Sequence, residues 1–71
     1  MATPKNNSVI KAFQILNACS LSEVPLSTSE IAAAAGMTPA TVHRFLITLE
    51  DVGAIARTDQ NCFQLGFAIA E

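Results

Sequence analysis

The sequence predicts a mainly α-helical domain that ends in a small β-hairpin. Three observations support this fold class. Residues 28–53 carry two helical patterns separated only by Gly36 and Met37, which is the arrangement of a helix-turn-helix unit. Another apolar helical pattern precedes them, and after Gly53 the apolar period changes from about 3.6 residues to about 2, as expected for strands. Three helices followed by a two- or three-stranded wing form a winged helix-turn-helix, which is the architecture we expect.

Length and composition fit one small domain. The chain has 71 residues, of which 51% are hydrophobic and 14% are charged, and this excludes a disordered acidic or basic tail. There is no run of about 18 apolar residues, and the N-terminal residues lack the apolar segment of a signal peptide. We therefore expect a cytoplasmic protein that does not have a membrane partner.

The sequence offers no catalytic or metal-binding constellation. Cys19, Cys62 and the single histidine, His43, are too few ligands for a structural zinc site. In the cytosol both thiols should be reduced and should pack as small apolar groups, with a disulfide as the less favoured alternative. Because a paired acid–base set and a phosphate-cradling glycine loop are also missing, we expect neither an enzyme nor a cofactor.

The first helix is predicted from its apolar pattern. Residues 1–7 are polar and should form a disordered arm, and Ser8 is a suitable N-cap for a helix from Val9 to about Cys19. Ile10 and Ile15 lie off the apolar stripe on different sides, and a helix that is apolar on several sides needs more than one partner. One partner should be the helix-turn-helix and another a second copy of the chain. The stripe consists of Val9, Ala12, Phe13, Leu16 and Cys19.

The first helix of the motif follows a break in the helical pattern. Pro25 interrupts that pattern, and residues 24–27 should form a short extended piece. Thr28 or Ser29 can cap the next helix, because a hydroxyl oxygen accepts hydrogen bonds from the free N–H groups of the first turn. Gly36 should end this helix in the left-handed conformation.

The second helix of the motif has two distinct faces. Thr38 is the predicted N-cap, Pro39 is the first helical residue, and the helix should run until Gly53. The short, hydroxylated and cationic side chains of its outer face suit a helix that enters a major groove, and an ordinary solvated face is the alternative. The predicted buried stripe is Val42, Phe45, Leu46, Leu49 and Val52, and the outer face is Ala40, Thr41, His43, Arg44, Ile47, Thr48 and Asp51.

The wing is predicted from alternation around a polar turn. Ile55 and Arg57 belong to one strand, Phe63 and Leu65 to the other, and residues 59–61 are turn formers. Polar side chains at the tip could hydrogen-bond to phosphate or sugar, and the alternative is a hairpin that only covers the core. Residues 66–71 are helix-compatible and end without a cap or stop signal, so we interpret the chain as the N-terminal part of a longer protein.

In this order and spacing, the features resemble the N-terminal winged helix-turn-helix domain of the IclR family of bacterial transcriptional regulators. The resemblance covers about residues 8–70. The family often carries a lysine and a serine where this chain has Pro39 and Ala40. The segments that carry the resemblance are residues 8–16, residues 26–32, Gly36-Met37-Thr38, residues 41–46 with Leu49 and Gly53, and Phe63-Gln64-Leu65-Gly66.

The resemblance implies a sequence-specific DNA-binding domain at residues 8–65, with the recognition helix at residues 39–52 in the major groove. It also implies a homodimer on a palindromic double-stranded DNA operator. Residues 66–71 would be the start of a linker helix to a C-terminal domain that this sequence does not contain. That domain would bind a small organic effector. The candidate DNA-binding residues are Thr38, Ala40, Thr41, His43, Arg44, Thr48 and Arg57.

Charge leaves a second function class open. The net charge is −2, whereas a basic face is the usual footprint of a nucleic-acid-binding domain. A winged-helix module that serves protein–protein assembly without DNA binding is therefore the alternative. A neutral or positive surface around Arg44, with the carboxylates elsewhere, would favour DNA.

Overall fold

The computed structural model describes residues 3–66 and contains three helices and a two-stranded antiparallel sheet. In chain order the elements are α1 (Asn7–Leu21), α2 (Thr28–Ala35), α3 (Pro39–Asp51), β1 (Ile55–Arg57) and β2 (Phe63–Leu65). Helices α2 and α3 form the helix-turn-helix, and the two strands form the wing. The predicted fold class, a mainly α winged helix-turn-helix, is confirmed.

Helix α1 begins earlier than predicted, and its N-cap is Asn6 rather than Ser8. The Asn6 Oδ1 atom accepts hydrogen bonds from the backbone N–H groups of Ser8 (3.0 Å) and Val9 (3.2 Å). Asparagine caps a helix as well as serine does, and Asn6-Asn7-Ser8 offers three suitable residues in succession. Asn7 is therefore the first residue of the helix and not part of the arm.

The buried face of α1 is rotated relative to the predicted stripe. Ile15 is fully buried, whereas Phe13 is 63% exposed and Val9 is also exposed. Periodicity shows that this helix has several apolar sides but cannot say which side meets α2 and β2, the elements against which α1 packs. Ile15 belongs to the core and is not available to a second copy of the chain.

Helix α2 is capped by Ser27, so the prediction of Thr28 or Ser29 was wrong by one or two residues. The Glu30 N–H donates to Ser27 Oγ (3.2 Å), and the Ser27 N–H donates to Glu30 Oε1 (2.8 Å). This reciprocal pair is a capping box. Its signal, serine followed three residues later by glutamate, is present in the sequence.

The turn between α2 and α3 has the predicted geometry. Gly36 has φ 72°, and the Met37 N–H donates to the Ala32 carbonyl (3.0 Å). Thr38 caps α3 with its side chain, and Pro39 occupies the first turn. The positive φ explains the glycine, because a residue with a Cβ is strained in that conformation.

The core stripe of α3 is confirmed except at its end. Val42, Leu46 and Leu49 are buried, and Phe45 is half-buried against the core. Val52 is 61% exposed, contrary to the prediction. The helix ends at Asp51, and Gly53 with φ 83° redirects the chain, so Val52 no longer follows the helical period.

The wing has the predicted strands and turn. Ile55 pairs with Leu65, and Arg57 pairs with Phe63. The predicted extended piece before α2 adds one further pairing: the Leu26 N–H donates to the Phe63 carbonyl (2.9 Å), and the Phe63 N–H donates to the Leu26 carbonyl (2.7 Å). The wing is thereby tied to the segment that precedes the helix-turn-helix.

Gly66 closes the wing where two backbone segments meet. Its N–H donates to the Ala54 carbonyl (2.8 Å), and a Cβ at this position would overlap the Gly53 carbonyl oxygen. Only glycine allows this approach without a backbone shift.

Helices and wing share one core. Cys19 lies in it, and burial raises the pKa of its thiol, which favours the uncharged form. Cys62 is half-buried, and both cysteines are free thiols. The core residues are Ile15, Leu16, Cys19, Ile31, Ala32, Val42, Leu46, Leu49, Ala54, Ile55 and Phe63.

The predicted linker helix falls on residues 66–71, of which 67–71 lie outside the described residues. Among residues 3–66, no helix has the length and apolar character that crossing a bilayer requires.

Candidate nucleic-acid interface

Helix α3 presents its outer face to solvent along its whole length. Val42, Leu46 and Leu49 fix the inner face against the core. The face has a small residue at its start, a histidine and one arginine in the middle and carboxylates at its end. Its exposed residues are Ala40, His43, Arg44, Ile47, Thr48 and Asp51, and Thr41 is half-buried.

The N-terminus of α3 carries free hydrogen-bond donors. Thr38 Oγ1 accepts from the Thr41 N–H (3.3 Å), and the Thr38 hydroxyl lies 2.9 Å from Thr41 Oγ1, to which it donates. The Thr41 hydroxyl hydrogen is then free to point outward. The Ala40 N–H has no acceptor among residues 3–66, so it remains available to an anion, as is usual at a helix N-terminus.

Arg44 is the exposed cation of the face. Among residues 3–66, its guanidinium group makes no ion pair or hydrogen bond. It lies one turn after Ala40, a residue too small to shield it. An unpaired guanidinium group beside a small residue can approach a base edge in a groove.

Ile47 is a residue of this face that was not among the predicted DNA contacts. It is 55% exposed and lies one turn after Arg44. The signal was its place on the outer face in the helical period. An apolar side chain there suits contact with the methyl group of thymine.

Carboxylates are grouped at the other end of α3. Glu50 and Asp51 lie in the last turn, which has no basic residue, and the first turn has no acidic residue. Because the helix dipole is also negative at its C-terminus, phosphate is favoured only at the N-terminal half. Thr48 lies nearer to the acidic end than Arg44 does. This distribution separates Arg44 from the carboxylates of α3 by nearly two helical turns.

Arg57 differs from Arg44 because its guanidinium group is occupied within the domain. One nitrogen donates to Glu50 Oε1 at 3.1 Å and the other to Asn61 Oδ1 at 3.0 Å. The guanidinium carbon lies 5.2 Å from the centre of the Phe63 ring, within the range of a cation–π contact. Arg57 therefore joins the end of α3 to the wing.

The polar residues of the wing tip are also partly engaged. Thr58 Oγ1 accepts from the Cys62 N–H (3.1 Å), and Asn61, with φ 61°, receives the Arg57 hydrogen bond. Gln60 is exposed, and its side chain has no hydrogen-bond partner among residues 3–66. The described part of the chain holds no group of three or more His, Cys, Asp or Glu side chains that could bind a metal ion.

Comparisons with known proteins agree with this arrangement. The IclR helix-turn-helix domain matches residues 8–59. The chain is 33% identical over 67 residues to the HTH-type transcriptional regulator KipR of Bacillus subtilis (strain 168), covering 94% of this chain and 26% of KipR.

Solved structures share the fold. An IclR family transcriptional regulator from Brucella abortus superposes with a TM-score of 0.84 at 24% identity, over 92% of this chain and 25% of that one. An IclR homolog from Microbacterium hydrocarbonoxydans, complexed with 4-hydroxybenzoate, gives 0.78 at 20% identity, over 86% and 25%.

The chain spans about a quarter of the length of each of these proteins. KipR and the Brucella protein are transcriptional regulators, and none of these comparisons favours the alternative of an assembly module. Since the family match takes in α1, both helices of the motif and the first strand, the protein belongs to the family of IclR helix-turn-helix domains, the DNA-binding domains of transcriptional regulators.

Proposed function

We propose that this domain binds double-stranded DNA sequence-specifically, with α3 as the recognition helix in the major groove. The observation that carries the proposal is the division of α3 into a buried face and an exposed face whose one cation, Arg44, and free donors lie in its N-terminal half. A helix held in this way presents base-reading side chains without exposing the core.

The proposed contacts fall into two groups. Arg44 reads a base edge, with Thr41 and His43 beside it and Ala40 allowing close approach. Thr38 and the free N–H of Ala40 position a phosphate at the helix N-terminus. Thr48 is a weaker contact because it lies next to the acidic end. Arg57 would contribute to DNA binding only after leaving Glu50.

We propose that the operator is palindromic and is bound by a homodimer. Two copies at half-sites about one helical turn apart would double the few contacts that each copy makes. The outer face of α1, formed by Val9, Ile10 and Phe13, is exposed and apolar and is the proposed pairing surface. Ile15 no longer belongs to that surface because it is buried.

The full-length regulator, in this proposal, is cytoplasmic, has no enzymatic activity and binds a small organic effector outside residues 1–71. The relatives are about four times as long as this chain, and the Microbacterium protein contains 4-hydroxybenzoate in its solved structure. An effector of that class would act through a domain that follows the proposed linker helix.

Selection of bound sequences from a random duplex library, with the full-length protein, tests the proposal. We expect an enriched palindrome whose half-sites contain a guanine that contacts Arg44. The matched control is Arg44→Ala in the same full-length protein, which should not enrich that palindrome. If the sequences recovered with the parent protein were no more enriched than those of the starting library, sequence-specific binding would be contradicted.

A further inference from the structure

The last turn of α3 contacts the wing through an ion pair between Glu50 and Arg57. Arg57 is the only cation of the wing, and among residues 3–66 its pair with Glu50 is the only ion pair. Both side chains remain accessible, with 43% of Arg57 and 39% of Glu50 exposed. A pair this exposed is in contact with solvent and can exchange partners.

Glu50 lies beside the proposed DNA-binding face. It follows His43 by seven residues, which is close to two helical turns, so the two side chains share one flank of α3. The wing packs on this flank through Arg57. A duplex that contacts His43 and Arg44 would therefore run along the flank of α3 that carries the Arg57–Glu50 pair.

The hydrogen bonds of Arg57 are those that a phosphate would otherwise receive. A guanidinium group binds carboxylate and phosphate oxygens with the same planar donor geometry. Glu50 already takes one of its terminal nitrogens, and Asn61 takes the other. An arginine engaged in this way releases no counterion from DNA unless the carboxylate is displaced.

We propose that Glu50 is a positioning residue that competes with DNA phosphate for Arg57 and so lowers the affinity of the domain for DNA of any sequence. The inference rests on the proposed DNA-binding function. Because Arg57 then makes no sequence-independent contact with phosphate, the base contacts of Arg44 contribute a larger share of the binding free energy.

The test is the salt dependence of binding to a fluorescein-labelled duplex of scrambled sequence. Removal of the Glu50 charge by Glu50→Gln should free Arg57 for one phosphate per copy. Log affinity then falls more steeply with log salt, by about 0.9 per copy, which is a further loss of about 3.5-fold between 50 and 200 mM salt. At the lowest salt concentration the variant should bind more tightly than the parent.

The matched control is Asp51→Asn. Asp51 is the adjacent carboxylate, exposed and without an ion pair among residues 3–66, so its removal changes the net charge equally without freeing an arginine. Its slope should equal that of the parent. Glu50→Asp keeps the net charge and shortens the side chain that holds Arg57, so it should steepen the slope partially.

Arg57→Gln completes the cycle. As a single substitution it should leave the slope of log affinity against log salt the same as in the parent. Combined with Glu50→Gln, it should abolish the steeper slope of that variant. Equal slopes for Glu50→Gln and Asp51→Asn would overturn the inference, as would a flatter slope for Arg57→Gln alone. Loss of sequence preference in the selection experiment, with the Glu50 effect intact, would contradict only the proposed function, and a parent that binds no duplex would overturn both.

Discussion

Arg44 and Arg57 are both exposed, and only their neighbours distinguish them. Arg44 has no partner among the described residues, whereas Arg57 contacts Glu50, Asn61 and Phe63. A surface ion pair of this kind contributes only about 0.2–1 kcal/mol to stability, so loss of the Arg57–Glu50 pair should change the free energy of unfolding little. Residue type alone would give both arginines the same role.

Replacement of Arg44 by alanine should abolish specific DNA binding with little loss of stability. A bidentate contact with guanine contributes about 1–3 kcal/mol to discrimination, and the exposed side chain leaves no cavity when it is removed. Operator titration and thermal unfolding measure the two effects. Arg44→Lys is the matched control, since it keeps the charge and loses the planar donor pair; it should bind scrambled DNA normally and the operator poorly. Unchanged operator affinity in Arg44→Ala, or a clearly lower melting temperature, would contradict the assignment.

Ile47 should contribute preference for thymine. We expect replacement of one operator thymine by deoxyuridine, which lacks only the methyl group, to weaken binding by the parent and not by Ile47→Ala. The measurement is a double-mutant cycle of protein and DNA changes. Val52→Ala is the control, because Val52 is similarly exposed but lies beyond the end of α3. An equal deoxyuridine effect in parent and Ile47→Ala at every thymine would remove Ile47 from the interface.

At the scale of single elements, the stability of α2 depends on its capping box, because the helix is short. It has only eight residues, and helices this short are marginal without capping and tertiary contacts. Its capping box uses Ser27 and Glu30, while its inner face buries Ile31 and Ala32. The cap also fixes where α2 begins.

Ser27→Ala should lower the free energy of unfolding by about 1 kcal/mol. Ser29→Ala is the matched control: Ser29 is exposed in the first turn of α2, and its hydroxyl has no partner among residues 3–66, so the change should stay within about 0.5 kcal/mol. Urea unfolding compares the two variants. The reverse order of the two effects would restore Ser29 as the cap.

Gly66→Ala should destabilise the wing. The new methyl group would overlap the Gly53 carbonyl oxygen, and overpacking of this kind costs about 1–3 kcal/mol. Gly36→Asn provides the comparison, because its position has a left-handed φ and open space around the Cβ, a conformation that asparagine tolerates. Chemical denaturation of both variants gives the measurement. If the Gly66→Ala variant were as stable as the parent, the backbone segments at Gly53 and Gly66 would be able to move apart without a cost in stability.

At the scale of the whole molecule, DNA affinity should be limited by charge. Only Lys5, Lys11, Arg44 and Arg57 are cationic, and Arg57 is engaged with Glu50. Few phosphates can therefore be neutralised by one copy, so tight binding requires two copies held together. The exposed apolar side chains of α1, which form the proposed pairing surface, lie on the face that the core does not use.

The 71-residue chain should bind the operator weakly and with shallow salt dependence. Two or three phosphate contacts per copy predict a slope of log affinity against log salt of about −4 to −5 for a dimer. The chain should be mostly monomeric at low concentration. Operator titration at several salt concentrations, with sedimentation in parallel, measures both quantities. A slope near −10, or nanomolar binding by a monomer, would contradict this view of where the affinity arises.

Local patterns in the sequence were sufficient for the fold class and for most of α3. The left-handed Gly36, the cap at Thr38, the stripe at Val42 and Leu46, and the switch to strands after Gly53 all depend on interactions between residues close in the chain. Backbone conformation, capping and periodicity are local properties, so the sequence by itself determined these features. It also determined the family, through the order and spacing of the segments.

Tertiary structure decided the features that depend on distant partners. Whether Ile15 or Phe13 of α1 is buried depends on where α2 and β2 lie, and whether Arg57 is free depends on Glu50, seven residues away on another element. Likewise, Val52 is exposed because Gly53 turns the chain at that point. Side-chain burial and ion pairing are set by neighbours in space, and the period of a single helix carries no information about which neighbours those are.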